Sequence, residues 1–255
     1  MSASSDIQWC DATWNPLAGC SKVTSGCTNC YALKMAWRQV NNPRSPWFAS
    51  GIAEKVGGKV LWTGRVATNA AALGHPLKWK KPKRIFVNSM SDLFHDAVPP
   101  QFIIRVFDVM RRCPQHTFMI LTKRPCNMRW FLSEFYSAPL PNVWVGVSVE
   151  RGDKNWRLDI LREVPAAVRF VSFEPLLGSV ANCRLDGIDW AIAGCESGHG
   201  SRPFDEDWAR QARDLAGVSG SAFFYKQKPG ERPGSTIELP DLDGRVWAEF
   251  PGGAA

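Results

Sequence analysis

No stretch of this 255-residue chain approaches the ~20 consecutive apolar residues needed to cross a bilayer, so no membrane-spanning helix is expected. The opening Met-Ser-Ala-Ser-Ser-Asp lacks a basic segment followed by an apolar run, which excludes the pattern of a secretory leader. The expectation is a soluble, cytoplasmic protein without a membrane partner. No glycine-rich dinucleotide fingerprint follows any apolar run, and this argues against a nucleotide-binding open sheet. Internal sequence repeats are absent, and no second domain is marked. Residues 1–255 are expected to form one domain.

Eight cysteines in a chain of cytosolic character point to metal or redox chemistry and away from a disulfide framework. Three of them fall in one loop, Gly19 to Tyr31. Six residues separate Cys20 from Cys27, and two separate Cys27 from Cys30. Two glycines and small polar side chains let such a segment fold back on itself, so that Cys27 and Cys30 face one centre and Cys20 closes the third corner. Three thiolates make a soft-ligand site, and an open fourth position makes it reactive. Cysteine triads of this kind are one way of holding an iron–sulfur cluster. Cys113, Cys126, Cys183 and Cys195 are scattered singly and read mostly as buried fillers.

The formal net charge of +7 permits a polyanionic partner, nucleic acid or nucleotide, without requiring one. Lys78-Trp79-Lys80-Lys81-Pro82-Lys83-Arg84 is either a solvated basic loop leading into a strand or a phosphate-contacting edge. Twelve tryptophans are expected to be buried by default, although some can stack on bases.

Tyr31–Val40 reads as a helix with an apolar stripe, and Asn41–Gly58 as an irregular surface segment. Val60–Val66 is a short strand candidate, and Ala70–Leu73 begins a helix that Pro76 ends. From Arg84 a pattern repeats. Apolar runs at Ile85–Val87, Phe118–Leu121, Val143–Val147, Val168–Val171, Ile188–Ala193 and Ala222–Tyr225 alternate with helical spacing at 102–112, 128–136, 153–164 and 205–216. Asp205 is a good N-cap with acidic residues behind it. Short, nearly continuous apolar runs look like strands buried on both faces, and their alternation with helices predicts a parallel sheet. The fold class is therefore α/β, a partial (β/α) barrel of about six parallel strands. Ile7–Leu17 is expected to supply the first strand. In the Pro/Gly-rich tail from about 229, Asp243-Gly244 turns a small hairpin between Thr236–Leu239 and Arg245–Phe250.

Functional residues of parallel α/β folds gather at the carboxyl ends of strands. Those ends here carry Asn88, Ser89, Asp92, Thr122, Lys123, Arg124, Ser148, Glu150, Glu174, Glu196, Ser197, Lys226 and Gln227. Lys123 and Arg124 suit a carboxylate or phosphate. Ser148 and Glu150 suit sugar hydroxyls, and Glu174 and Glu196 suit acid/base work or an amino group. The bland alternative is that these groups cap helices and structure turns.

Thr13-Trp14-Asn15-Pro16, Gly19-Cys20 and Gly26-Cys27-Thr28-Asn29-Cys30-Tyr31-Ala32 resemble the three-cysteine-motif family of phages and bacteria, an uncharacterised radical S-adenosylmethionine-like group. The likeness continues through Asn88-Ser89-Met90-Ser91-Asp92, Leu121-Thr122-Lys123-Arg124-Pro125, Gly146-Val147-Ser148-Val149-Glu150, Phe173-Glu174-Pro175, Gly194-Cys195-Glu196-Ser197 and Tyr225-Lys226-Gln227. It implies a radical S-adenosylmethionine-like partial barrel with a [4Fe–4S] cluster on Cys20, Cys27 and Cys30. S-adenosylmethionine would then be bound among Asn88, Ser89, Asp92, Thr122, Lys123, Arg124, Ser148 and Glu150. Glu174, Glu196 and Lys226 would be the catalytic groups, and a reductase, flavodoxin or ferredoxin would donate the electron. The six-residue gap is longer than the commonest radical-enzyme spacing, and Asn29 stands where an aromatic residue usually precedes the third cysteine. Two other readings remain open. Cys10 can join the three thiols in a four-thiolate zinc site, or Glu174 and Glu196 can serve a barrel hydrolase in which the cysteine loop is incidental.

Overall fold

The computed structural model describes residues 5–253; the first four residues, on which the absence of a leader was partly read, lie outside them. Eight strands form one curled, open sheet whose spatial order follows the chain. They are β1 (Ala12–Trp14), β2 (Arg84–Val87), β3 (Thr117–Thr122), β4 (Val143–Ser148), β5 (Val168–Phe173), β6 (Trp190–Gly194), β7 (Ala222–Pro229) and β8 (Thr236–Glu238). β1 to β7 are parallel, and β8 adds antiparallel to β7. The expectation of about six parallel strands is corrected to seven. Of the segment Ile7–Leu17, Ala12–Trp14 joins the sheet, against β2.

Six helices accompany these strands: α1 (Tyr31–Val40), α2 (Ala70–Leu73), α3 (Pro100–Arg111), α4 (Pro125–Phe135), α5 (Trp156–Arg162) and α6 (Glu206–Ser219). No helix is long and apolar enough to cross a membrane among the described residues. Asp205 caps α6 by accepting from the Asp207 backbone N–H, as its sequence position predicts. The predicted helix at 153–164 starts as a 3-10 turn over Gly152–Lys154 and becomes α-helical at Trp156.

The period-two alternation of each strand divides the apolar residues between two cores. On the outer face, Val87, Ile120, Val145, Val147, Val171 and Ala193 pack under α3 to α6 through Phe107, Met110, Phe131, Leu161 and Ala212. On the concave face, Trp9, Phe86, Met119, Phe170, Trp190, Ile192 and Phe224 form a second cluster. Trp190 sits among Trp9, Trp144, Phe170, Phe224 and Phe250, with ring centroids 5.1–6.2 Å away. Each such buried ring contributes about 1.5–3 kcal/mol by leaving water. The aromatic layer fills the sheet's hollow toward the amino ends of the strands and leaves the carboxyl ends to polar side chains.

Between β1 and β2 the chain leaves the sheet for the cysteine loop, α1 and a two-stranded ribbon, Ala53–Val56 with Lys59–Trp62. This part has its own small core of Ala36, Val40, Trp47, Ile52, Ala53 and Met90. The first ribbon arm lies where an irregular segment was expected. Three of its four residues are exposed, so no alternation of apolar and polar residues marks it. Gly57 and Gly58 turn the ribbon with φ of 55° and 80°, the geometry of a tight two-residue hairpin turn.

The C-terminal hairpin differs from its expected form. Asp243 and Gly244 do turn it, with φ of 56° and 84°, but its arms are Asp241–Leu242 and Arg245–Val246. Thr236–Glu238 pairs with β7 instead. β7 continues to Pro229, well past its apolar run, and its free edge takes up that segment.

Candidate functional site

One cavity lies between the cysteine loop and the carboxyl ends of β2, β3 and β4. Its lining includes Cys20, Cys27, Cys30, Tyr31, Trp62, Phe86, Asn88, Ser89, Asp92, Leu121, Thr122, Lys123, Arg124 and Ser148. All three loop thiols and seven of the eight residues predicted to bind a cofactor therefore meet there; Glu150 stands behind Lys123. Glu174, Glu196 and Lys226 do not line it. Among the other scattered cysteines most are buried, as expected: Cys113, Cys183 and Cys195 are, and Cys126, in the first turn of α4, is exposed.

The cysteine loop is tied to the strand ends by a set of polar contacts. Thr24 Oγ1 donates to Glu150 Oε1 at 2.6 Å. Arg157, on α5, donates to Glu150 Oε2 at 3.1 Å, and Lys123 Nζ lies 3.6 Å from Glu150 Oε1. Burial pushes the Glu150 pKa up, but Lys123, Thr24 and Arg157 together bring it below the ordinary carboxylate range. From β6, Glu196 pairs with Arg202 and accepts from Asn29 Nδ2 at 2.8 Å, while Arg202 Nη1 reaches the Ser25 carbonyl at 3.0 Å. Glu196 too is held low: burial opposes the Arg202 and Asn29 hydrogen bonds and is outweighed by them.

Beyond β3, Arg124 Nη2 donates to Ser21 Oγ at 2.7 Å and Arg124 Nη1 to Asp92 Oδ2 at 3.0 Å. Asp92 also accepts from Thr122 Oγ1 at 2.7 Å and from the Phe94 backbone at 3.0 Å. His95 Nδ1 accepts from the Ala97 backbone, which leaves its proton on Nε2 to donate to Ser21 Oγ at 2.9 Å. Burial first, then the Arg124 charge, lowers the His95 pKa and favours that neutral form. Tyr31 OH donates to the Ser89 carbonyl at 2.8 Å. Arg124, Asp92, Glu150 and Glu196 thus each help to hold the loop against the strand ends.

Asn88 is the exception. It is 3% exposed and lines the cavity, yet neither its amide nitrogen nor its amide oxygen has a hydrogen-bond partner. A buried amide left without partners costs about 1–3 kcal/mol per group, and this one also holds a left-handed backbone, φ 61°. Such a group is in place to meet a ligand that offers both an acceptor and a donor.

Glu174 and Lys226 form a separate ion pair at 2.9 Å on the concave face. Ser172 Oγ donates to Glu174 Oε2 at 3.2 Å. Gly194 makes room for them, since a side-chain carbon there would lie 2.8 Å from Glu174 Oε1.

Burial pushes the Cys20 thiol up to about 12, with Asp92 adding to the effect and Arg124 opposing it. Cys30 is also raised, chiefly by burial. Both are neutral thiols unless a cation compensates the thiolate. Among the described residues, no three His, Cys, Asp or Glu side chains converge as ligands of a single metal ion. Cys10 does not join the loop thiols. It is buried in the aromatic cluster with its sulfur 3.3 Å from Ser5 Oγ. The basic stretch Lys78–Arg84 leads into the amino end of β2, at the opposite end of the sheet from the cavity.

Sequence reasoning missed Ser21, Thr24, Asn29, His95, Arg157, Arg202 and Trp62. Arg157 carried a signal: it falls four residues before Leu161 and so on the same, buried face of α5. A match to the family described as Protein of unknown function (DUF5131) extends over residues 4–251. The chain belongs to that family. No curated protein and no solved structure matches it.

Proposed function

We propose that this protein is a radical S-adenosylmethionine-type iron–sulfur enzyme built on a radical S-adenosylmethionine-like partial barrel. Cys20, Cys27 and Cys30 hold a [4Fe–4S] cluster, and the adjoining strand ends hold S-adenosylmethionine. The observation that carries this reading is the single cavity lined by all three loop thiols and by the unpartnered amide of Asn88. The donor set suits the group. Three cysteine thiols are the donor type that such a cluster would take, whereas a structural zinc site takes four converging ligands. Thiols set around a cavity wall, with Cys10 elsewhere, favour the cluster.

When bound and given one electron by a flavodoxin- or ferredoxin-type donor, the cluster and S-adenosylmethionine would supply reductive C–S cleavage that releases methionine and a 5′-deoxyadenosyl radical, chemistry that belongs to the cofactor and not to the protein. Asn88 Oδ1 and Nδ2 bind and orient polar groups of the ligand. Lys123 faces its negative charge, and the Ser89 and Ser148 hydroxyls offer further hydrogen bonds. The aromatic layer around Trp190 closes the hollow below and keeps water out. The Glu174–Lys226 ion pair, which is not engaged by the cysteine loop, is the acid/base candidate.

Anaerobic reconstitution with iron and sulfide, followed by dithionite and S-adenosylmethionine, tests the reading. The expected result is a cluster absorption band, about four irons and four sulfides per chain, and 5′-deoxyadenosine above the level of a Cys20/Cys27/Cys30→Ala control. A formed cluster that yields no 5′-deoxyadenosine overturns the radical step. Stoichiometric zinc without iron or sulfide in anaerobically purified protein overturns the cluster.

A further inference from the structure

The net positive charge of the chain is concentrated in the segment 19–66, which carries the cysteine loop and supplies one wall of the cavity. Between Gly19 and Val66, seven lysines and arginines accompany one acidic residue, Glu54. Lys22, Lys34, Arg38, Lys55, Lys59 and Arg65 are all exposed, and among the described residues none of the six pairs with a carboxylate. Elsewhere the cations are largely spent on ion pairs, as at Arg124, Arg157, Arg202, Arg210 and Arg213. Six unpaired cations against one acidic residue raise a local field that attracts a polyanion.

Apolar side chains are interleaved with this charge in a regular way. Tyr31, Lys34, Met35 and Arg38 fall at i, i+3, i+4 and i+7 and form one exposed stripe of α1; Tyr31 is 44% and Met35 42% exposed. The stripe starts at the cavity, because Tyr31 lines it. Trp62, at the end of the ribbon, lines the same cavity, and the ribbon carries Lys55 and Lys59 outward from it. Two aromatic rings therefore line the cavity; Lys34 and Arg38 continue the α1 stripe from Tyr31, and Lys55 and Lys59 stand on opposite faces of the ribbon beyond Trp62.

We propose that this face binds single-stranded nucleic acid, with the cations tracking the backbone and Tyr31 and Trp62 stacking on a base at the cavity mouth. Stacking platforms beside a cationic track are the way proteins hold single strands. Presentation of that base as substrate rests on reading the cavity as a radical site; the binding itself does not.

Fluorescence anisotropy with labelled DNA and RNA oligonucleotides of roughly 20 nucleotides tests the binding. The affinity is expected to fall about 50-fold between 50 and 200 mM salt, the slope for about four phosphate contacts on a single strand. Charge reversal in Lys34→Glu/Arg38→Glu/Lys55→Glu/Lys59→Glu is expected to weaken binding at least tenfold. Lys80→Glu/Lys81→Glu, at the far end of the sheet, is expected to leave it within twofold. Trp62→Ala is expected to cost fivefold or more and Trp62→Phe to restore most of the loss. The same oligonucleotides should bind the Cys20/Cys27/Cys30→Ala protein, which separates this proposal from the fate of the metal site. No binding at 50 mM salt overturns it, as does binding that the four-residue variant leaves unchanged. Retention of an acidic flavodoxin or ferredoxin without any oligonucleotide also overturns it, and marks the face as an electron-donor dock.

Discussion

Thr24 Oγ1 donates to Glu150 Oε1 at 2.6 Å and so joins the cysteine loop to the end of β4. Gly26 lets the two surfaces come this close: a side-chain carbon at Gly26 would lie 2.5 Å from Glu150 Cγ. Gly26→Ala is expected to push the loop outward at a cost of about 1–3 kcal/mol, typical of overpacking. The measurable outcome is a lower midpoint in urea and, under the proposed function, fewer irons retained per chain after reconstitution. Wild-type iron content in Gly26→Ala would show that the loop has slack.

Replacing Glu150 by glutamine keeps the shape and removes the charge that Arg157 and Lys123 face. At pH 7 the loss is expected to be about 1.5–3 kcal/mol, the range for hydrogen bonds to a charged group. The folded pKa lies below the ordinary carboxylate value. The stabilisation is therefore complete above about pH 4.3 and fades as pH falls through the lower folded value. Denaturation of both proteins at pH 7, 5 and 3 should show the gap closing only at the acid end. A gap that persists undiminished at pH 3 would mean that shape, and not charge, is what Glu150 contributes.

Asn88 separates stability from ligand binding. Asn88→Gly removes the partnerless amide and relieves a φ of 61°. Its melting temperature is expected to equal or exceed that of the wild type. Under the proposed function, the KM for S-adenosylmethionine should rise at least tenfold. A clear fall in melting temperature would place Asn88 in the scaffold.

Alkylation reads the environment of the thiols. With its pKa pushed up to about 12, Cys20 in metal-free protein at pH 8 holds roughly one thiolate in ten thousand. Exposed Cys126 should therefore react with iodoacetamide well before Cys20. The Cys20 rate should climb about tenfold per pH unit, as peptide mass spectrometry can follow. Rapid, pH-independent labelling of Cys20 would contradict its burial.

The parallel sheet was legible because Ile85–Val87, Phe118–Leu121 and Val143–Val147 are apolar on both faces, and burial on both faces is what makes a strand visible in sequence. The ribbon at Ala53–Trp62 was half hidden because most of its side chains face water. The polar strand ends were legible as a group, and their division of labour was not. Arg124 and Glu150 were read as cofactor-binding and Glu196 as catalytic, but their hydrogen bonds with Ser21, Thr24 and Asn29 span 103, 126 and 167 residues. No local pattern encodes contacts at such separations. Asn88 was named from its place after a strand, but the lack of any partner for its amide is a property of the folded cavity.

The long reach of these ties sets an order of assembly. Ser25 and Arg202 stand 177 residues apart, so the thiol loop leaves the ribosome long before the segment that closes over it. Until β6 and the residues after it are in place, the ties from Glu196 and Arg202 are missing, and Cys20, Cys27 and Cys30 belong to a partly held segment. Under the proposed function, metal delivery would then follow chain completion: a nascent chain stopped before Trp190 should fail to take up iron under conditions that load the finished protein.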